Sequence, residues 1–285
     1  MFKNILIPIS SEFYSINVLL RGVFLSKKFK STINLLYIIE EKRFNHTDKL
    51  VDTYRTTMEK EETKKEIINT HKQVADTIIF DDAKKIFKEK DVKLEGKIVN
   101  GEFSDVIKQE LILKNYDLIL MGFEKESSLK YRLLEDVDVP VWIVGEGESK
   151  KILAVCTNLA PNKKVPIVSM KLAEKLDWDL HMLYVADIED SVQVDEKGNR
   201  SERKTERELL NVGQKFLENF RDKKIKTRLV KGTLEKETIK KAQEINAQLV
   251  IVGREQKKKG VLGLPVKNLK KKLAEKCKYS LLFLN

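Results

Sequence analysis

The amino-acid sequence predicts an α/β protein in which one parallel-sheet unit occurs twice. Short apolar runs alternate with amphipathic stretches of helical spacing along 285 residues, the pattern of buried strands joined by crossover helices. Two of those runs, Asp117-Leu-Ile-Leu-Met-Gly122 and Gln248-Leu-Val-Ile-Val-Gly253, end on a glycine and lead into a charged segment. The halves also align with each other. Ile5 matches Ile152, Leu25 matches Leu172 and Tyr37 matches Tyr184 at an offset of 147, while Gly101 matches Gly232 and Gly122 matches Gly253 at an offset of 131. The difference of 16 residues (147 − 131) falls in a charged helical segment of the first half.

Taken in order, Ile5 to Ile9 is an apolar strand, and Ser10-Ser-Glu12 turns it towards a helix with a good N-cap. Between Phe13 and Phe29, Ile16, Leu19, Leu20, Val23 and Phe24 recur at helical spacing, and Ile33 to Ile39 returns to a strand. A parallel, right-handed crossover is expected. Residues 40–53 read as a charged, weakly periodic loop, and a long helical pattern follows from Tyr54 to Lys88, broken near Phe80-Asp-Asp82. Val92 to Val99 is the third strand. The Asn100-Gly101 turn leads into a helix from Ser104 to Lys114, then a fourth strand, Leu118 to Met121, and a fifth, Pro140 to Val144. Gly145-Glu-Gly-Glu-Ser149 has a linker's composition, which places domains at 1–146 and 150–285.

The second half repeats the order. Ile152 to Cys156 is a strand, Lys164 to Leu176 a helix, and Leu180 to Val185 a strand. Asp187 to Arg200 reads as an exposed loop, and Ser201 to Asp222 as an amphipathic helix with Leu209, Val212, Phe216 and Phe220 inward. A strand from Ile225 to Val230, a helix to Asn246, a strand from Leu249 to Val252, a long basic loop and helix, and a last strand from Leu281 to Leu284 complete it.

Composition narrows the function classes. Cys156 and Cys277 form no CxxC pair, and His46, His71 and His181 have no partner at ligand spacing, so neither a redox pair nor a metal site is expected. No apolar run approaches the roughly 18 residues of a membrane span, and the first apolar stretch is too short for a signal-peptide core; a cytoplasmic protein is expected. Lys and Arg number 55 against 44 Asp and Glu, a net +11, which favours acidic partners such as nucleic acid, anionic membrane or phosphorylated metabolites. Aromatic residues do not interleave with the basic clusters, which argues against a stacking platform for single strands. There is no GxSxG, no paired Cys and His and no carboxylate dyad, so no catalytic residues are assigned.

Two units of this size, opening with Lys3-Asn-Ile-Leu-Ile-Pro-Ile9 and closing with Tyr116-Asp-Leu-Ile-Leu-Met-Gly122 and Pro140-Val-Trp-Ile-Val144, resemble the universal stress protein family in tandem form. The resemblance spans nearly the whole chain. It implies two flavodoxin- or Rossmann-like domains, each a five-stranded parallel sheet of order 3-2-1-4-5 with helices on both faces, packed as a pseudo-dimer. It also implies pairing of the last strands, 140–144 beside 280–284, which would cover an exposed sheet edge.

The resemblance further implies where a nucleotide would sit. Binding members carry Gly, two residues, Gly, nine residues, then Gly-Ser or Gly-Thr after the fourth strand, because small residues let main-chain amides reach phosphate oxygens. In the second copy Gly253 matches and Arg254 follows it, Gln256 occupies the second glycine position, and Lys267-Asn268 stand where Gly-Ser belongs. In the first copy Gly122 is followed by Phe123-Glu-Lys125, with 17 residues before Pro140 against 26 between Gly253 and Ser280. The aspartate that closes the first strand of binding members is Ser10 in one copy and Thr157 in the other.

The sequence therefore predicts a binding protein without ordinary ATP binding and without turnover, with an unknown protein partner. Two alternatives stand beside it. One is an adenine-nucleotide binder with slow ATPase activity that uses the second copy alone, through Thr157, Gly253, Arg254, Gln256, Lys267 and Asn268. The other is a basic adaptor for nucleic acid, membrane or an acidic protein, for which the lysines of 254–272 offer an anion site.

Overall fold

The computed structural model describes residues 1–10, 15–39, 81–122, 137–158, 162–188, 192–194, 200–221, 224–253 and 269–284. The chain divides into two compact units, Met1–Val137 and Asp138–Asn285.

In the first unit the order is β1 (Asn4–Ile9), α1 (Ile16–Phe29), β2 (Thr32–Ile39), α2 (Asp81–Glu89), β3 (Leu94–Asn100), α3 (Phe103–Leu113) and β4 (Leu118–Gly122). Its strands lie in the order β4-β1-β2-β3, all parallel, with Ile5 in register with Ile33 on one side and Leu118 on the other. Strands covered on both faces read as unbroken apolar runs, and β1, β2 and β4 are buried along almost their whole length. The edge strand β3 is exposed or half-buried throughout, which is why Leu94-Glu-Gly-Lys-Ile-Val-Asn100 alternates so weakly. The long helix expected over 54–88 lies outside the described residues as far as residue 80; α2 is its last part.

The second unit contains β5 (Val141–Val144), β6 (Lys151–Thr157), α4 (Lys164–Leu176), β7 (Asp179–Ala186), β8 (Val192–Val194), β9 (Arg200–Arg203), α5 (Glu206–Glu218), β10 (Lys226–Lys231), α6 (Leu234–Glu244), β11 (Leu249–Gly253), α7 (Leu269–Lys276) and β12 (Ser280–Leu284). Its sheet runs β10-β7-β6-β11-β12-β5. Strands β10 to β12 are parallel in that sequence, the expected 3-2-1-4-5 order. Strand β5 joins antiparallel, with Leu281 opposite Ile143 and Phe283 opposite Val141. Wholly buried Trp142 opposite Leu282 anchors this joint; a buried side chain of that kind contributes about 2–3 kcal/mol.

Four expectations are corrected. The strand at 140–144 falls in the second unit, antiparallel to β12, so the described residues of the first unit supply four parallel strands to their sheet, while the second unit has the five parallel strands expected, with β5 added at the β12 edge. Residues 145–149 are not a free linker: Gly145 N donates to Ser280 Oγ (3.1 Å) and Glu146 N to the Lys278 carbonyl (2.7 Å), which ties this segment to the approach of β12. The loop expected over 187–200 contains β8, which pairs antiparallel with β9. The helix expected from Ser201 starts at Glu206, because Thr205 and Glu208 close a capping box, Thr205 N donating to Glu208 Oε2 (2.8 Å) and Glu208 N to Thr205 Oγ1 (3.3 Å).

Candidate functional site

In open parallel sheets, ligands sit beyond the carboxyl ends of the strands. In the second unit that end is formed by Thr157 closing β6 and Asn158 just after it, Asp187 after β7, Gly253 closing β11 and the start of α4. The β6–β11 register sets Val155 opposite Val252, so Cys156 and Thr157 lie level with and just past Gly253. Of the six residues assigned from sequence, Thr157 and Gly253 are thereby brought to adjacent strand ends. Arg254, Gln256, Lys267 and Asn268 lie outside the described residues, as do Lys257, Lys258 and Lys259.

Thr157 is buried, and so are its neighbours Asn158 and Asp187. The Asn158 side chain clasps the next strand end twice: Asp187 N donates to Asn158 Oδ1 (2.7 Å), and Asn158 Nδ2 donates to the Asp187 carbonyl (3.3 Å). The Asp187 carboxylate in turn accepts from Leu234 N, the first amide of α6 (3.0 Å). Thr233, the N-cap residue of α6, makes no side-chain cap bond, so Asp187 caps that helix from another element. An anion at a helix N-terminus is stabilising by about 0.3–2 kcal/mol. In the first unit the matching helix caps itself, Glu102 Oε2 accepting from Asp105 N (3.0 Å). Ser10, the counterpart of Thr157, is buried as well.

Gly253 is equally committed. A Cβ placed on it would lie 2.5 Å from Asn162 Cβ. Asn162 is held there by two bonds: its Oδ1 accepts from Lys164 N (2.9 Å) at the start of α4, and its Nδ2 donates to the Leu284 carbonyl (3.2 Å). The first unit repeats the contact, since a Cβ on Gly122 would meet Val18 at 3.2 Å and Ser15 at 3.4 Å, and Ser15 plus 147 is Asn162. In both copies the glycine admits the beginning of the first helix.

The remaining titratable groups are structural in geometry. Burial pushes the Cys156 thiol up to about 12 and the Cys277 thiol up to about 11, so neither is a nucleophile near neutral pH. In the first unit, burial works to raise the Glu110 pKa, but its bonds from Lys97 and Tyr116 outweigh that and hold the carboxyl below its ordinary value. His181 sits at the position of Asn34 in the other copy, beside Lys226, and burial followed by the charges of Lys226 and Lys241 lowers its pKa. Among the described residues no three His, Cys, Asp or Glu side chains gather as a metal site.

The universal stress protein family profile matches residues 1–144 and again 150–284. The chain belongs to the universal stress protein family. It is the tandem form: a universal stress protein of Archaeoglobus fulgidus shares its fold at a TM-score of 0.66 and 17% identity, over 98% of this chain and 96% of that one. A protein of Pseudomonas aeruginosa described as a putative universal stress protein gives 0.64 at 14% identity, over 99% and 93%. Comparison with curated proteins gives no significant match. Against the family pattern, Asn158, Asp187 and Asn162 are the residues that sequence reading missed. A lone polar residue at a strand end carries no signal until the register sets it beside its partner.

Proposed function

We propose that this tandem universal stress protein acts in a stress response by binding a partner rather than by turnover, in the cytoplasm, and that it does not hold ATP in the ordinary way. The observation that supports this reading most is the Asn162–Gly253 contact. The glycine that would leave main-chain amides open to a phosphate is covered by a side chain fixed at both ends. Two further points agree with it: the acidic group expected at the first strand end is an uncharged, buried Thr157, and the nearby Asp187 carboxylate is engaged at the start of α6.

Thermal unfolding with and without millimolar magnesium and ATP tests the reading. A ligand at about 100 times its dissociation constant adds roughly 2.7 kcal/mol of stability. No shift in Tm is expected. A shift abolished by changing Thr157 or Gly253 would restore the nucleotide-binding reading of the second unit, with Arg254, Gln256, Lys267 and Asn268 as its remaining contacts.

A further inference from the structure

The charge of this chain is not spread over its two copies. The first unit carries 24 Lys and Arg against 23 Asp and Glu, a net +1, and the second 31 against 21, a net +10, together the +11 of the chain. A general bias towards lysine would load both units. Residues 254–278 alone hold ten basic side chains and two acids, whereas the corresponding stretch of the first copy, 123–139, holds three bases and five acids.

We propose that the face of the second unit formed by α6, α7 and the turn after α7 binds the phosphate backbone of double-stranded nucleic acid without reading its sequence. Helices α6 and α7 lie side by side, joined by the Lys276–Glu235 ion pair at 2.6 Å. Lys236 and Lys240, four residues apart on one side of α6, are exposed, as are Lys272 on α7 and Lys278 after it. None of these four makes an ion pair with a described acid. The acids nearby are Glu235, taken by Lys276, Glu244, shared by Lys241 and Arg228, and Glu237 and Glu275.

The chemistry of the face selects among polyanions. Lysines hold phosphate as point charges and lack the planar fork by which arginine reads guanine, so affinity without sequence preference follows. None of the exposed large apolar side chains among the described residues lies on α6 or α7, so the described part of this face offers no apolar anchor for a lipid surface. No exposed aromatic stands on either helix for unpaired bases to stack on.

Fluorescence anisotropy of a labelled random-sequence DNA duplex, titrated with the full chain at several salt concentrations, tests this. Binding at low salt is expected, with log Kd linear in log salt. The variant Lys236→Gln, Lys240→Gln, Lys272→Gln, Lys278→Gln should bind about tenfold or more weakly, with a slope smaller by about 3 to 4. A control of equal charge change in the first unit, Lys27→Gln, Lys28→Gln, Lys85→Gln, Lys88→Gln, should bind as the parent does. Circular dichroism establishes that both variants are folded. The proposal is overturned by absence of duplex binding at low salt, by equal losses in the two variants, or by tighter association with phosphatidylserine vesicles than with duplex that the first variant abolishes.

Discussion

Asn162 lies against Gly253 as Ser15 lies against Gly122, the same helix start meeting the same strand end in each copy of the duplicated fold. The asparagine is the closer of the two, and it is bonded at both ends of its amide.

The two glycines should therefore respond differently to a methyl group. Gly253→Ala drives a Cβ to 2.5 Å from Asn162 Cβ, a contact that only a shift of backbone relieves. Overpacking of this kind costs about 1–3 kcal/mol. Gly122→Ala meets its nearest neighbour at 3.2 Å and should lose distinctly less. Urea denaturation of the two variants ranks them; equal losses would refute the contact.

Asp187 fastens α6 to the end of β7. Asp187→Ala removes the acceptor of the Leu234 amide and leaves that buried donor unpaired, a loss of about 1–3 kcal/mol. Asp187→Asn keeps an oxygen in place and should lose less. Hydrogen exchange of the Leu234 amide is the direct readout, faster in the alanine variant than in the asparagine one.

His181 should make stability acid-sensitive. Burial, and then Lys226 and Lys241, favour its neutral form, with Asp179 opposing. The folded pKa lies below the unfolded one, so the unfolded state takes up the proton first and stability falls as pH drops from about 6.5 towards the folded value. Lys151 adds a weaker effect of the same sign, and Lys241 is itself paired with Glu244. His181→Asn, which installs the residue of the first copy, should flatten the slope of Tm between pH 7.5 and 5.5. An unchanged slope would assign the acid sensitivity elsewhere.

Trp142 reports on the joint between β5 and β12. It is wholly buried, and Trp142→Ala should cost about 3–5 kcal/mol. With Trp142→Phe, the blue-shifted part of the emission should vanish and leave half-buried Trp178 as the remaining fluorophore.

The fold was legible because its strands are covered on both faces. Ile5 to Ile9 and Leu249 to Val252 are apolar without interruption, and only a parallel sheet under two layers of helix makes that pattern cheap. The duplication was legible in the offsets, and the pairing of 140–144 with 280–284 came with the family resemblance. The β8–β9 hairpin was hidden because strands of three and four residues, with Gln193, Arg200 and Glu202 among them, carry too few apolar positions to show a period. The site was legible only in part. Thr157 and Gly253 stand out by departing from or keeping a pattern, whereas the clasp of Asn158 on Asp187 is long-range and exists only once β6 and β7 are in register.

The antiparallel seam has a consequence for how the protein is made. During translation Val141–Val144, with its tryptophan, emerges 136 residues (280 − 144) ahead of Ser280, a wait of roughly 7 to 30 seconds at ordinary synthesis rates. Through that interval the nascent chain carries an apolar ribbon whose antiparallel neighbour has yet to be synthesised. Its brevity, four residues, is what such a ribbon needs to escape pairing with strangers.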